Sequence, residues 1–467
     1  MANRRDRLKA SRKGLERVED AIRQQGWGRQ SAAWYDRAHV SLATLRRFWQ
    51  RIPISADAFK AICEAAGVDW PQVADRPPAI AETMPAAKAY SEVWVGRAAL
   101  IEELVQGCQQ GCRLLLVTGM TGIGKTALVN QLCQRLETAL PTRHRVTFDD
   151  RDQTSFSQIA PYLTGGAGDL ASLSPEESIS AVVNQLTSQP RLLILDGLEA
   201  TLEGNDETGW SEFKDPQWQR FFHRLLAAEH CQTVVLVATQ EFPVQLRSLG
   251  SRYPAVWRCV PLKGLEPTEQ MLLLQQLGLA TDINSTTQNQ LQRIGAAYEG
   301  HPLTLQIIAG EILNPPFDGN LTAYWGTYGH EIEQLERATQ AMPLEGEADR
   351  LRLDSYSRRL RQIVRQRLET SFNRLQAQVP LAYRLLCLGA VYRRPVVEAF
   401  WLNLLTPLQP NLDQQQLMLD ALIDRYLVEE LVTHDQLHLR QHNLIRSIAL
   451  SHLRHLRTHD DNASTRA

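Results

Sequence analysis

The sequence lacks the segments that would hold a chain in a membrane or direct it across one. The first residues are charged throughout and contain no apolar core of a signal peptide. No run of apolar residues is long enough to span a bilayer. These absences predict a cytoplasmic protein without a membrane partner.

Cysteine is scarce, and its number is odd. The chain of 467 residues has seven cysteines, scattered through predicted helices and strands. This pattern does not form a disulfide framework, so we expect reduced thiols in the core. With 43% hydrophobic and 22% charged residues, the composition is that of an ordinary globular protein, and the length predicts several domains.

A strong net charge is also missing, but the two ends of the chain are basic. The net charge is −2, whereas residues 1–76 hold 15 Lys and Arg against 9 Asp and Glu. Residues 351–467 hold 16 against 11. Such an excess permits contact with nucleic acid, and a solvated basic face is the commoner explanation of it.

Apolar runs predict the fold class. Short runs at 114–117, 192–195 and 234–238 suit strands buried on both faces, and amphipathic stretches separate them. This alternation predicts an α/β domain whose parallel sheet carries helices on both faces, followed by mainly helical segments. The predicted divisions are a helical domain at 1–76, a proline-containing linker at 77–90, the α/β domain at 91–265, a helical domain at 266–345, a further domain at 346–456 and a flexible tail at 457–467.

A phosphate-binding loop stands between the first of these strands and the following helix. The segment RLLLVTGMTGIGKTALVNQL contains the pattern GxxxxGK[ST] from Gly119 to Thr126. Its glycines let backbone N–H groups approach phosphate, Lys125 is expected to contact the β- and γ-phosphates, and Thr126 to bind Mg²⁺. The predicted nucleotide contacts in this loop are Gly119, Gly122, Ile123, Gly124, Lys125, Thr126 and Ala127.

A second acidic position is needed for the metal. Asp196 ends the apolar run at 192–195, and it is predicted to anchor Mg²⁺ together with Thr126. Asp196 and Glu199 are the catalytic candidates. Glu199 or Glu203 would polarise a water molecule, but spacing places neither, so nucleotide binding is better supported than hydrolysis.

Six motifs in order resemble one family of nucleotide switches. WVGR at 94–97, the P-loop, LLILDGLE, VLVATQE at 235–241, EGHPL at 299–303 and RQHNLIR at 440–446 are similar to the motifs of NB-ARC proteins, a branch of the STAND NTPases. The resemblance covers residues 91–456. It implies a nucleotide-binding α/β domain, a helical domain and a winged helix that closes over ATP or ADP.

The resemblance also implies site residues outside the P-loop. Val95 and Arg97 correspond to contacts on the base and ribose side, Pro302 to a wall against adenine, and His442 to the winged-helix histidine that contacts the β-phosphate of ADP. Gln240 stands where many relatives carry an arginine that senses the γ-phosphate, which implies weaker sensing of ATP. Asn443 replaces an acidic residue but keeps its helix-capping ability.

The N-terminal segment resembles lambda-repressor-like helix-turn-helix domains, with HVSLATLRRFW as the second helix of the motif. In a DNA reader, Ser41, Ala43 and Thr44 would face bases, and Arg46, Arg47 and Arg51 would contact phosphates of duplex DNA. A small adaptor that recruits an effector protein, or a purely structural unit, are the alternatives.

Three functions remain open on the sequence alone. The first is an ATP/ADP-controlled regulator that self-associates in one nucleotide state and controls its N-terminal module. The others are a motor-type ATPase acting on nucleic acid and a scaffold that holds ADP permanently. STAND relatives usually carry C-terminal repeats that receive the input signal, whereas the motifs of this chain end near the winged helix. We therefore also expect a separate sensor protein as a partner.

Overall fold

The computed structural model describes residues 7–74 and 94–464, apart from positions 30, 39, 41, 50, 52–53, 149–153, 164–172, 206–209, 280–284, 341–348, 409 and 434–435. The predicted linker at 77–90 and Ser41, one of the side chains predicted to face bases, lie outside the described residues. Among the described residues, no helix is long and apolar enough to cross a membrane. All seven cysteines are free thiols.

The N-terminal unit consists of short helices around one apolar core. Strands β1 and β2 pair antiparallel at its edge. Trp34, Phe48 and Phe59 are fully buried in the centre of the unit. The elements are β1 (Arg7–Leu8), α1 (Arg12–Gln24), α2 (Ala32–Arg37), α3 (Leu42–Trp49), β2 (Ile54–Ser55), α4 (Ala56–Ala65) and α5 (Trp70–Val73).

The following unit is the predicted parallel α/β domain. Its five strands lie in the order β4-β5-β8-β3-β9, and every neighbouring pair is parallel. The elements are α6 (Ala98–Gln109), β3 (Leu114–Thr118), α7 (Lys125–Arg135), β4 (Thr142–Thr147), α8 (Phe156–Leu163), α9 (Pro175–Thr187), β5 (Arg191–Asp196), β6 (Leu202–Asn205), β7 (Trp210–Phe213), α10 (Gln217–Ala227), β8 (Val234–Thr239), α11 (Arg247–Arg252) and β9 (Trp257–Pro261).

Alternate residues of β3 explain why its run is continuously apolar. Leu115 and Val117 pack into a cluster with α6 and α7, whereas Leu114 and Leu116 pack into a cluster with α8, α9 and α10. The strand is therefore buried on both faces, as its sequence predicts. The carboxyl ends of β3, β5 and β8 lie side by side, which brings the loops that follow them to one edge of the sheet.

Helices dominate the rest of the chain. The elements are α12 (Pro267–Gln276), α13 (Ser285–Ala297), α14 (Pro302–Leu313), α15 (Leu321–Gln340), α16 (Asp349–Gln378), α17 (Pro380–Gly389), β10 (Val396–Val397), α18 (Glu398–Asn403), α19 (Leu412–Asp424), β11 (Glu429–Thr433), β12 (Gln436–Arg440) and α20 (Asn443–Ser464). Strands β10, β12 and β11 form an antiparallel sheet in that order. We call residues 380–464 the C-terminal unit.

Two features differ from the sequence expectations. The edge strands β4 and β9 escaped prediction because they are partly exposed and lack a continuous apolar run. Helix α20 continues to Ser464 and so overlaps the tail predicted at 457–467. Its apolar positions Leu450, Leu453 and Leu456 keep a helical spacing and pack on the core of the C-terminal unit.

Candidate nucleotide-binding site

The P-loop joins the carboxyl end of β3 to the first residue of α7. Gly122 and Gly124 have φ values of +84° and +98°, a backbone region that side chains rarely adopt. A Cβ atom at Gly122 would also lie 2.8 Å from Cε1 of His301. Lys125 Nζ donates to the carbonyl oxygens of Gly119 at 2.8 Å and Met120 at 3.0 Å. A phosphate group would compete with these neutral acceptors for a charged donor.

Thr126 and Asp196, the two predicted Mg²⁺ ligands, are in contact. The hydroxyl of Thr126 donates to Oδ1 of Asp196 at 3.1 Å, and Arg145 lies 3.6 Å from the other carboxylate oxygen. A hydroxyl and a carboxylate are the hard oxygen ligands that Mg²⁺ prefers, with phosphates and water completing the shell. Groups of three or more His, Cys, Asp or Glu side chains able to hold a metal are absent from the described residues. The pair thus fits Mg²⁺ bound together with nucleotide rather than a metal held by protein alone.

Glu199 and Gln240 are paired beside this edge of the sheet. Glu199 lies in a short 3-10 helix after β5, and Gln240 directly follows β8. The backbone N–H of Gln240 donates to Glu199 at 3.1 Å, and its side-chain amide donates at 2.8 Å. The candidate catalytic acid is therefore coupled to the candidate γ-phosphate contact. Glu203, the other candidate, is exposed on β6.

Arg97 connects the segment before α6 to the P-loop. Its guanidinium donates to the carbonyl oxygens of Ile123 at 2.8 Å and Lys263 at 2.9 Å, and its backbone N–H donates to Glu269 at 2.5 Å. Burial lowers the pKa of Arg97 to about 10. Val95 is buried in the apolar cluster of α12 to α14. Through its hydrogen bond to the carbonyl oxygen of Ile123, Arg97 thus supports the P-loop.

His301 is a loop contact that the sequence analysis missed. It is fully buried, caps α14 immediately before Pro302, and lies 3.0 Å from the carbonyl oxygen of Thr121 through Nε2. Nδ1 accepts from the N–H of Thr304 at 3.3 Å, so these partners assign the proton to Nε2. Burial lowers the pKa of His301 to about 3, and the charges of His442, Lys125 and Arg97 add to the effect. A His-Pro pair at a predicted helix start is the signal that could have identified it.

His442 approaches the same loop from the C-terminal unit. It lies between β12 and α20, and Nδ1 accepts from the N–H of Leu444 at 3.4 Å. Burial lowers the pKa of His442 to about 4; nearby Glu429 opposes this shift, whereas the charges of Arg440 and Lys125 add to it. The charge of a P-loop residue thus contributes to the lowered pKa of a residue far along the chain. His442 and Lys125 were predicted from separate motifs.

The arginines predicted to contact DNA phosphates have protein partners. Arg47 is buried and forms ion pairs with Glu398, Asp420 and Glu430. Arg46 lies over the ring of Tyr426, and Arg51 donates to the carbonyl oxygen of Ala10. Tertiary contacts therefore occupy all three side chains, those of Arg46 and Arg47 on the distant C-terminal unit and that of Arg51 within the N-terminal unit. Their contact with DNA stays a prediction. The side chain of Ala43 lies outside the description.

Comparison with known proteins agrees with the loop geometry. Residues 93–238 match a family model. The matched family is the AAA ATPase domain. The matched segment contains the P-loop, Asp196 and the strands β3, β5 and β8. Similarity to a P-loop NTPase domain therefore coincides with the part of the chain that holds the Lys125 and Thr126–Asp196 contacts.

More distant similarity extends beyond this segment. An uncharacterised WD repeat-containing protein of Nostoc sp. is 24% identical over 364 residues, 68% of this chain, and the chain spans 28% of that protein's length. A STAND protein with a tetratricopeptide repeat sensor from Pyrococcus horikoshii has 16% identity and a TM-score of 0.45 over 77% of this chain and 43% of its own. The Aeropyrum pernix ORC1 protein, solved in complex with DNA, has 14% identity and a TM-score of 0.34 over 78% and 94%. These TM-scores are too low to carry an inference about function.

Proposed function

We propose that this protein is a STAND-type regulatory switch that binds ATP or ADP with Mg²⁺. In this proposal the ADP state keeps the C-terminal unit packed on the nucleotide site, and the ATP state releases it for self-association. Lys125 and the P-loop amides bind phosphate, and Thr126 with Asp196 holds Mg²⁺. Gln240 lies on the γ-phosphate side, and Val95, Arg97 and Pro302 lie on the base and ribose side.

The contact of His301 with the P-loop, together with the effect of the Lys125 charge on His442, supports the proposal. These side chains come from the α/β domain, the start of α14 and the C-terminal unit, and their charges influence one another. In the proposal, one nucleotide interacts with all three units at once. A nucleotide can shift a conformational equilibrium only through contacts that differ between two states, and His442 supplies such a contact.

The topology of the C-terminal unit supports its assignment as a winged helix. Helix α17 is followed by the short strand β10, by helices α18 and α19, and by the hairpin β11–β12. Strand β12 pairs with both β10 and β11. His442 lies two residues after the end of β12 and immediately before α20, the position that the family resemblance implies.

Hydrolysis belongs to the proposal as a slow step. Glu199 is the candidate acid, and its hydrogen bonds to Gln240 hold it beside the strand end that carries Asp196. Gln240 offers a hydrogen bond but no charge to a leaving phosphate. A motor-type ATPase, the alternative, would show steady and rapid turnover.

The decisive experiment identifies the nucleotide that co-purifies with the protein and then measures its size. Light scattering would be performed with ADP and with a non-hydrolysable ATP analogue, each with Mg²⁺. We expect bound ADP, a monomer with ADP and a larger species with the analogue. The same size in both states at saturating nucleotide would contradict the switch, and rapid sustained turnover would favour the motor.

A further inference from the structure

A cluster of ion pairs between distant parts of the chain surrounds Arg47 on α3. Its side chain lies 3.5 Å from Glu398, 3.4 Å from Asp420 and 2.5 Å from Glu430. Arg47 and Glu430 are 383 residues apart in sequence. We call Glu398, Asp420 and Glu430 the acidic socket; they come from the first residue of α18, from α19 and from β11.

Electrostatics hold Arg47 charged in this socket. Burial alone would lower the pKa of Arg47, but the charges of Glu430, Asp420 and Glu398 outweigh it and raise the pKa above its ordinary value. A buried ion pair contributes little net stability, yet removal of one partner is strongly destabilising because it leaves an uncompensated charge. A substitution that removes the charge on only one side of this contact is therefore expected to destabilise it.

Neighbouring side chains of α3 dock on the same surface. The guanidinium of Arg46 lies 5.1 Å from the ring centre of Tyr426, and the hydroxyl of Thr44 lies 3.5 Å from Asp420. Thr44, Arg46 and Arg47 are three of the side chains that the helix-turn-helix resemblance assigns to DNA. The face predicted to bind a polyanion is thus covered by carboxylates of the same chain.

We propose that the acidic socket masks the DNA-binding face of α3, and that duplex DNA and the socket compete for Arg46 and Arg47. Carboxylate and phosphate oxygens accept the same forked hydrogen bonds from arginine, so the socket substitutes for the DNA backbone. Undocking of α3 then becomes the step that permits DNA binding. Only the dependence of undocking on nucleotide rests on the proposed switch.

The masking contact is tested by hydrogen exchange of the α3 amides in the full chain with ADP present. One variant, Arg47→Met, removes the cation; another, Glu398→Gln/Asp420→Asn/Glu430→Gln, removes the socket charges and keeps every arginine. Both should raise exchange in α3 by about tenfold or more, because each leaves buried charge without its partner. Arg23→Gln, which breaks an exposed ion pair to Glu19, is the control and should leave α3 unchanged.

Unchanged α3 exchange in both variants would overturn the masking contact. Binding of labelled nucleotide, measured in parallel, separates this outcome from a failed nucleotide switch, since the proposed loop contacts remain intact in both variants. Loss of nucleotide binding together with general loss of exchange protection would show that the socket serves only to fold the C-terminal unit, which would also overturn the proposal.

Competition with DNA is tested by gel shift of the same proteins on a duplex of random sequence. If about 1 to 10% of the molecules are undocked, the socket variant should bind about 10- to 100-fold more tightly, since apparent affinity scales with the competent fraction. Adding Arg47→Met to it should remove most of this gain. Asp413→Asn/Glu212→Gln/Glu229→Gln removes the same charge from exposed positions and should give little gain. Release of α3 without a gain in DNA affinity would assign the face to a protein partner and overturn competition with DNA.

Discussion

Two basic side chains predicted to bind phosphate, Lys125 in the P-loop and Arg47 in α3, have different partners in this structure. Lys125 donates to two neutral carbonyl oxygens of its own loop. Arg47 is surrounded by three carboxylates from a unit far along the chain. A phosphate would compete with neutral acceptors at Lys125, whereas release of Arg47 separates its charge from three carboxylates together. The first site suits ready ligand binding, and the second suits a contact that opens only when a whole unit moves.

Loss of the lysine should produce the largest effect. Each hydrogen bond to a charged group contributes about 1.5 to 3 kcal/mol, so Lys125→Ala should weaken ATP and ADP binding by about 100-fold or more in calorimetric titration. Lys214→Ala is the matched control, because Lys214 is an exposed lysine that also donates to a backbone carbonyl, that of Ala200. Tight nucleotide binding by a folded Lys125→Ala protein would contradict the role of Lys125 in phosphate binding.

The Asp196→Asn variant tests whether the carboxylate acts on the nucleotide through Mg²⁺. Asparagine keeps an oxygen that can accept from Thr126, but it lacks the charge that attracts Mg²⁺. We expect about tenfold weaker binding of nucleotide with Mg²⁺ and nearly normal binding with a chelator present. Equal losses in both conditions would instead identify Asp196 as a structural partner of Thr126 and Arg145.

The sequence predicted the first region better than the second, and the physical reason is local. A P-loop is encoded by adjacent residues, and β3, β5 and β8 are continuous apolar runs because helices cover both faces of the sheet. Edge strand β4 has only one buried residue, Val146, so its sequence contains no such apolar run. Nothing near Arg47 in sequence indicates its partners, since 383 residues separate it from Glu430.

Acidity should act on the two regions with opposite sign. His442 has its pKa lowered from 6.5 to about 4, so the unfolded chain binds more protons and this residue's contribution to stability falls as pH drops from 6.5 to 4. Asp424, beside the socket, has its pKa raised from 3.8 to about 7, chiefly by burial, so its contribution rises as pH drops from 7 to 3.8. Each group changes the free energy of unfolding by at most about 1.4 kcal/mol per pH unit.

Variants separate these two contributions in thermal unfolding between pH 7 and pH 4. His442→Gln should lose less stability on acidification than the unmodified protein, whereas Asp424→Asn should lose more. Identical pH profiles for all three proteins would contradict the burial of both groups.

A smaller effect is expected for removal of His442 at neutral pH. One hydrogen bond to phosphate, about 1.5 to 3 kcal/mol, falls short of the roughly 5.5 kcal/mol needed to reverse a strongly biased equilibrium. His442→Ala should therefore speed ADP release and shift only part of the protein toward the self-associated form, as followed by stopped-flow and light scattering. Complete conversion to the larger species would mean that His442 is the whole latch, and unchanged ADP release would mean that it is no part of one.

Hydrogen exchange of α3 in the full chain, compared between ADP and a non-hydrolysable ATP analogue with Mg²⁺, tests most directly whether the two regions are coupled. The C-terminal unit carries both His442 and the acidic socket, so a nucleotide that displaces it should also release Arg47. We expect slow exchange in α3 with ADP, exchange at least about tenfold faster with the analogue, and no difference in α4 of the same N-terminal unit. Equal exchange of α3 in both states, with both nucleotides shown to be saturating, would contradict the coupling.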